Sequence, residues 1–151
     1  MTNSPNTQPI FIRQPTIHSV VLSTELGETL PTSTLVPKTF IVGADPATAI
    51  ETIEVLNTGV SVSTTLNLYL YSVSGTQGQS MLISQTPIPA AVAGTQIPIV
   101  VRLPKTLSPA SCVPANPNQM LKIPIGWELR AALTNPITSP IILTAFGGNY
   151  Y

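Results

Sequence analysis

The chain has one cysteine, Cys112, and one histidine, His18, in 151 residues. A single cysteine excludes an intrachain disulfide framework and a cysteine-cluster metal site, and a single histidine excludes a multi-histidine one. Charge is equally scarce. Lys plus Arg is 6, Asp plus Glu is 6, and only 8% of residues are charged, against about a quarter in ordinary soluble domains. A zero balance argues against a nucleic-acid partner, which needs a basic footprint to neutralise phosphates. It argues equally against a polybasic membrane partner. Uninterrupted apolar runs are only a few residues long, far below the roughly 18 that span a bilayer. The polar N-terminus lacks the basic and apolar regions of a secretory signal, and no Asn-x-Ser/Thr acceptor is present. The expectation is synthesis in the cytoplasm, with action there or export by another route.

What fills the sequence instead is threonine (20), serine (13), proline (16) and a hydrophobic fraction of 43%. Threonine favours strands and frequent proline forbids long helices. The length fits one domain, which buries roughly 68–70% of its unfolded surface without a staple or a metal. An apolar chain with no net charge has nothing to keep its copies apart in solution, and an assembly component tolerates that best.

Prolines mark the organisation. None occurs between residues 47 and 86. That window should hold the central strands, because proline cannot donate to a β-ladder. Residues 1–47 read as a polar tail followed by an extended arm with short apolar pieces at 10–13, 17–22 and 38–42. Residues 48–151 read as the folded domain. The alternative, that the arm supplies the domain's first strands, stays open. Residues 60–73 alternate with period 2: Leu66, Leu68 and Leu70 on one face, Asn67, Tyr69 and Tyr71 on the other. This is the signature of a half-buried antiparallel strand. Further strands are expected at 48–58, at 97–103, at 127–134 (Trp127, Leu129 and Leu133 inward) and at 141–146. The last two are joined by a short turn and should form a hairpin. Asn57-Thr58-Gly59 reads as a turn, and the proline-rich stretch 104–119 as a long loop. The fold class is all-β: an antiparallel β-sandwich of immunoglobulin-like or jelly-roll type with an extended N-terminal arm.

No residue pattern supplies catalysis. His18 sits where an edge strand would place a polar residue. Cys112 has no basic neighbour to lower its thiol pKa. Glu51 and Glu54 point to opposite faces of a strand, and Glu128 shares a strand face with Arg130, so it suits an ion pair. No carboxylate pair fits glycoside hydrolysis, no acidic loop fits calcium, and no glycine motif fits phosphate. The reading is a non-enzymatic protein without catalytic residues, metal or cofactor. Partner contact is assigned to Ile10, Phe11 and Ile12 in the arm, to Tyr69 and Tyr71 on the face opposite the leucines, and to Tyr150 and Tyr151 at the end. The arm segment, fenced by Pro9 and Pro15, suits strand addition to a neighbouring sheet.

Four segments carry a resemblance: Ile53-Glu54-Val55-Leu56-Asn57-Thr58-Gly59, Leu66-Asn67-Leu68-Tyr69-Leu70-Tyr71, Gly126-Trp127-Glu128-Leu129-Arg130-Ala131, and Thr144-Ala145-Phe146-Gly147-Gly148-Asn149-Tyr150. Together they resemble the small β-sandwich virion proteins of tailed bacteriophages, over about 48–151. The resemblance implies a structural role without cofactor. Most concretely it implies a capsid decoration (cement) protein that binds the major capsid protein or another virion protein and self-associates, a trimer being the first guess by analogy. It implies residence in the phage particle after synthesis in the bacterial host cytoplasm. A neck, tail or fibre component is the alternative. So is a carbohydrate-binding or adhesion module with an aromatic platform around Tyr69, Tyr71 or Trp127.

Overall fold

The computed structural model describes residues 14–23, 37–45, 47–59, 62–73, 80–91, 97–101, 121–135, 137 and 139–149. Over these the chain forms nine strands: β1 (Gln14–Leu22), β2 (Lys38–Val42), β3 (Ala47–Asn57), β4 (Thr64–Ser72), β5 (Ser80–Ile88), β6 (Ile97–Val100), β7 (Leu121–Pro124), β8 (Trp127–Leu133) and β9 (Ile141–Asn149). The first sheet runs β1-β9-β3-β6, with β7 also on β3. β6 and β7 pair with opposite ends of β3. The second sheet runs β2-β8-β4-β5. All strand pairings are antiparallel.

The pairing order decides between the two sandwich types. With β7 set aside, β1 pairs with β9, β2 with β8, β3 with β6 and β4 with β5. The chain is therefore one long ribbon doubled back at β4–β5. It is wrapped so that β9 also meets β3 and β8 also meets β4. That is a jelly roll and not the immunoglobulin-like order.

The proline rule explains which strands lie where. β3 and β4 are bonded on both sides and come from the proline-free window. Pro15, Pro87, Pro98 and Pro124 all lie on β1, β5, β6 and β7, where a missing donor costs no ladder bond.

Two inner faces interleave to make the core. On the first sheet, cross-strand rows are Leu22-Ile141, Val20-Leu143-Val55-Ile99 and His18-Ala145-Ile53. On the second they are Ile41-Leu129-Leu70, Ala131-Leu68 and Leu133-Leu66. Leu66, Leu68, Leu70, Leu129 and Leu133 are fully buried, and Trp127 packs half-buried against the same cluster. The six residues expected to face inward do so.

Two expectations need correction. The boundary at residue 47 does not separate arm from domain. β1 is an edge of the first sheet and β2 an edge of the second, so the sandwich includes Gln14–Leu22 and Lys38–Val42. Both segments gain by burial on one face: Leu22 is inaccessible, as nearly are Phe40 and Ile41. The second correction concerns β8 and β9. They do not pair as a hairpin. β8 lies between β2 and β4 in one sheet and β9 between β1 and β3 in the other, so the short turn crosses the sandwich. Both strands carry apolar residues on nearly every inward position, so each can sit at the centre of a sheet.

Gly59 and Gly147 are among the glycines dictated by geometry. Gly59 has φ of 115°, a region costly for other residues, and its N–H donates to Asn57 Oδ1 at 3.0 Å. A bulge between Ile50 and Thr52 presses β3 against β9. A Cβ on Gly147 would stand 2.0 Å from the Ala49 carbonyl oxygen.

Candidate interaction surface

The same registers that build the core also define what each sheet shows outward. On the first sheet three rows cross the strands: Ile17-Phe146-Thr52, Ser19-Thr144-Glu54-Val100 and Val21-Ile142-Leu56-Pro98. Two apolar rows thus flank a row of hydroxyls that contains Glu54. The bulge at Ile50/Thr52 turns exposed Glu51 outward beside Thr52, on the same face as Glu54 rather than opposite to it as the alternation predicts. Ile17 is 70% exposed, Val100 60% and Val21 46%, while Leu56, Ile142 and Phe146 shield one another part-way. Single exposed apolar residues are ordinary, but a contiguous set across four strands is the mark of an interaction face.

The outer face of the second sheet is built differently. Its rows are Val42-Glu128-Tyr71-Ser80, Thr39-Arg130-Tyr69-Leu82 and Ala132-Asn67-Gln85. Glu128 and Arg130, two apart on β8, share this face. Arg130 pairs with Glu128 Oε2 at 2.9 Å through Nη2 and donates to it from Nε, also at 2.9 Å. Thr39 Oγ1 donates to the same oxygen at 3.0 Å. The guanidinium stands 3.5 Å from the centroid of Tyr71, the stacked geometry of a cation–π contact. Asn67 is buried, accepting from Gln85 Nε2 and donating to Thr134 Oγ1, both at 3.1 Å. This face satisfies its own polar groups and leaves apolar side chains bare only on its two edge strands, Val42 on β2 and Leu82 on β5, whereas on the first sheet's face apolar residues also occupy the inner strands β9 and β3.

Among the residues assigned to partner contact, Tyr69 is 7% exposed and Tyr71 is half-buried beneath Arg130. Tyr69 therefore offers a partner almost no surface, and Tyr71 offers only what Arg130 leaves uncovered. Tyr69 and Tyr71 do share an outer face, as the alternation required, and one ring face of Tyr71 is taken by Arg130. Ile10, Phe11, Ile12, Tyr150 and Tyr151 lie outside the described residues, as do Cys112 and residues 104–119, where a long loop was expected. The face that is exposed and apolar was missed. Its signal was present in segments with too many apolar residues for a strand buried on one side: Ile17, Val20, Val21 and Leu22, then Ile141, Ile142 and Leu143. Such runs place apolar side chains on both faces.

At one end of the sandwich a shallow cleft of about 470 Å³ is lined by Ser63, Thr64, Thr65, Pro87, Ile88, Pro89 and Asn135. Its polar groups bond one another. Thr64 Oγ1 donates to the Asn135 carbonyl and accepts from its N–H, both at 3.2 Å. Beside it, buried Asn57 ties the sheets together, its Nδ2 donating to the Pro89 carbonyl at 2.9 Å. Among the described residues no three His, Cys, Asp or Glu side chains gather where they could hold a metal ion. No described helix is long and apolar enough to cross a membrane. His18 lies on the inner face of β1, 3.1 Å from Thr16 Oγ1. Partial burial holds its pKa below the ordinary imidazole value of 6.5, because a charged ring there loses hydration.

No protein family, curated protein or solved structure matches the chain.

Proposed function

We propose that this protein is a structural component of a tailed-phage virion, most concretely a capsid decoration protein without catalytic function. In this reading it docks on the major capsid protein through the outer face of its first sheet and associates with its own copies. The observation that carries the reading is that face: Ile17, Val21, Leu56, Val100, Ile142 and Phe146 across four strands. A chain with 8% charged residues and no net charge holds such a surface in solution poorly, but an assembly covers it. The jelly roll supports the reading only by analogy, since viral capsid proteins, lectins and cupins share it. A sugar-binding role finds less support, because a glycan needs an open aromatic ring, and Tyr69 is buried while Tyr71 is covered by Arg130.

The experiment is co-sedimentation of purified protein with undecorated phage capsids. The wild type should pellet with the particles. Ile142→Lys, which places a charge at the centre of one apolar row, should stay in the supernatant while keeping its fold by circular dichroism. Undiminished pelleting of Ile142→Lys would remove the face from the reading. Failure of the wild type to bind capsids, together with its recovery in the neck, tail or fibre fraction of disrupted virions, would move the protein to that part of the particle.

A further inference from the structure

A sandwich has four edges, and proteins protect edges that are not meant to pair. On three of them the protection is visible. β2 has five residues and a bulge at Phe40. β5 carries Pro87 and a bulge between its Leu82 and Ser84 pairings. β6 and β7 are four residues each, with Pro98 and Pro124. β1 is the least protected, its one proline, Pro15, standing at its second residue. It runs nine residues in unbroken register with β9, bears no Lys, Arg, Asp or Glu, and shows Ile17 and Val21 to solvent. Among the described residues no strand lies on its other side.

Which main-chain groups are free follows from two observations. Pro15 has no N–H to give, so it belongs at a position whose donor is not needed by β9. Lys38 Nζ donates to the Val21 carbonyl from β2, outside the β1–β9 ladder, at 3.0 Å. N–H and C=O of one residue point to the same side, and the side alternates along the strand. Pro15, Ile17, Ser19 and Val21 therefore turn their main-chain groups outward.

We infer that β1 is a self-pairing edge: it joins β1 of a second copy in antiparallel register about a two-fold axis at His18, making one continuous sheet across the pair. This deepens the self-association in the reading above and is independent of the capsid. In this register Ile17 and Ser19 exchange both N–H and C=O bonds with Ser19 and Ile17 of the second copy. Val21 N–H donates to the Pro15 carbonyl of the second copy. The one bond that cannot form would join the Pro15 nitrogen to the Val21 carbonyl, and that carbonyl already accepts from Lys38. The missing donor faces the acceptor already satisfied, so no main-chain group in the seam is orphaned. The other registers lose this match. Shifting the axis to Ser19 sets the occupied Val21 carbonyl against the N–H of Ile17. Shifting it to Ile17 sets Pro15 against the open carbonyl of Ser19. Because the other edges are protected, β1 meets only β1, and the pairing is isologous and closes at two copies. The first guess of a trimer gives way to a two-fold pair.

The test is sedimentation equilibrium of the full chain without capsids, with amide hydrogen exchange at high and low protein concentration. The wild type should sediment as a dimer. Amides of Ile17, Ser19 and Val21 should exchange slowly in the dimer and at least tenfold faster on dilution to monomer. Ser19→Pro deletes an interchain donor without touching the β9 ladder, and Ile17→Lys charges the seam. Both should sediment as monomers with native circular dichroism. Val100→Lys, on the far edge of the same outer face, should remain dimeric. A monomeric or trimeric wild type overturns the inference, as does a dimer that survives both β1 variants or dissolves with Val100→Lys. In each case binding to capsids is scored separately, so the virion reading stands or falls on its own result.

Discussion

Leu68 is the sharpest probe of the sandwich core. It is inaccessible at the centre of β4, and its cross-strand partners on the inner face are Ala131 on β8 and Ser84 on β5. Leu68→Ala removes three carbons from this site. The transfer term is about 0.8 kcal/mol per methylene, or about 2.4 kcal/mol. The cavity term depends on whether neighbours collapse into the gap. Ala131 and Ser84 are too short to reach it, and the main chains of β8 and β5 are held by their ladders. A residual void of about 60–80 Å³ at about 24 cal/mol per Å³ then adds about 1.5–2 kcal/mol. The expected loss is about 4 kcal/mol, a large part of the 5–15 kcal/mol that domains typically possess. Urea unfolding at one fixed protein concentration measures it. The midpoint should fall with the slope unchanged. Ile17→Ala, read in the same assay on monomeric Ser19→Pro, should change stability by less than about 0.5 kcal/mol, because Ile17 is 70% exposed. A Leu68→Ala loss below about 1 kcal/mol would mean that the leucine face of β4 is not the core face.

Gly147→Ala should cost about 1–3 kcal/mol or more, since the new methyl meets main chain rather than a movable side chain; a melting temperature equal to wild type would refute the close approach of β3 and β9. Asn57→Ala should cost about 1–3 kcal/mol by orphaning the Gly59 N–H and freeing the Pro89 carbonyl. Asn57→Asp sets a carboxylate against the Pro89 carbonyl, which raises its pKa in the folded state. That variant should therefore melt closer to wild type at pH 4 than at pH 7, and an equal gap at both would count against the bond. His18 has a folded pKa below 6.5, so the unfolded chain binds its proton first as pH falls. Stability should be full above about pH 6.5 and decline below it until the folded ring also titrates; relative to His18→Gln, wild-type melting temperature should drop between pH 7 and pH 5, and parallel curves would refute the assignment.

Local chemistry alone determined much of this protein. Strict alternation from Leu66 to Tyr71 fixed the inward leucines of β4 and the sharing of one face by Tyr69 and Tyr71. The i, i+2 spacing of Glu128 and Arg130 fixed their ion pair, because side chains two apart on a strand share a face. The proline-free window located β3 and β4, two of the four strands bonded on both sides, and Asn57-Thr58-Gly59 announced its turn. Tertiary structure decided what depends on partners distant in sequence. Whether Gln14–Leu22 is a free arm or an edge strand turns on β9, more than a hundred residues away. A short turn reads the same locally whether it closes a hairpin or crosses between sheets, so β8 and β9 were separable only by the strands on either side of them. Alternation places Tyr71 on an outer face, but only the pairing of β4 with β8 sets Arg130 over its ring. The bare apolar face exists only because Ile17, Val21, Leu56, Val100, Ile142 and Phe146, scattered along the chain, fall into adjoining rows. Period and propensity are properties of neighbours in sequence, while a surface is a property of strand order, and only the folded chain sets that order.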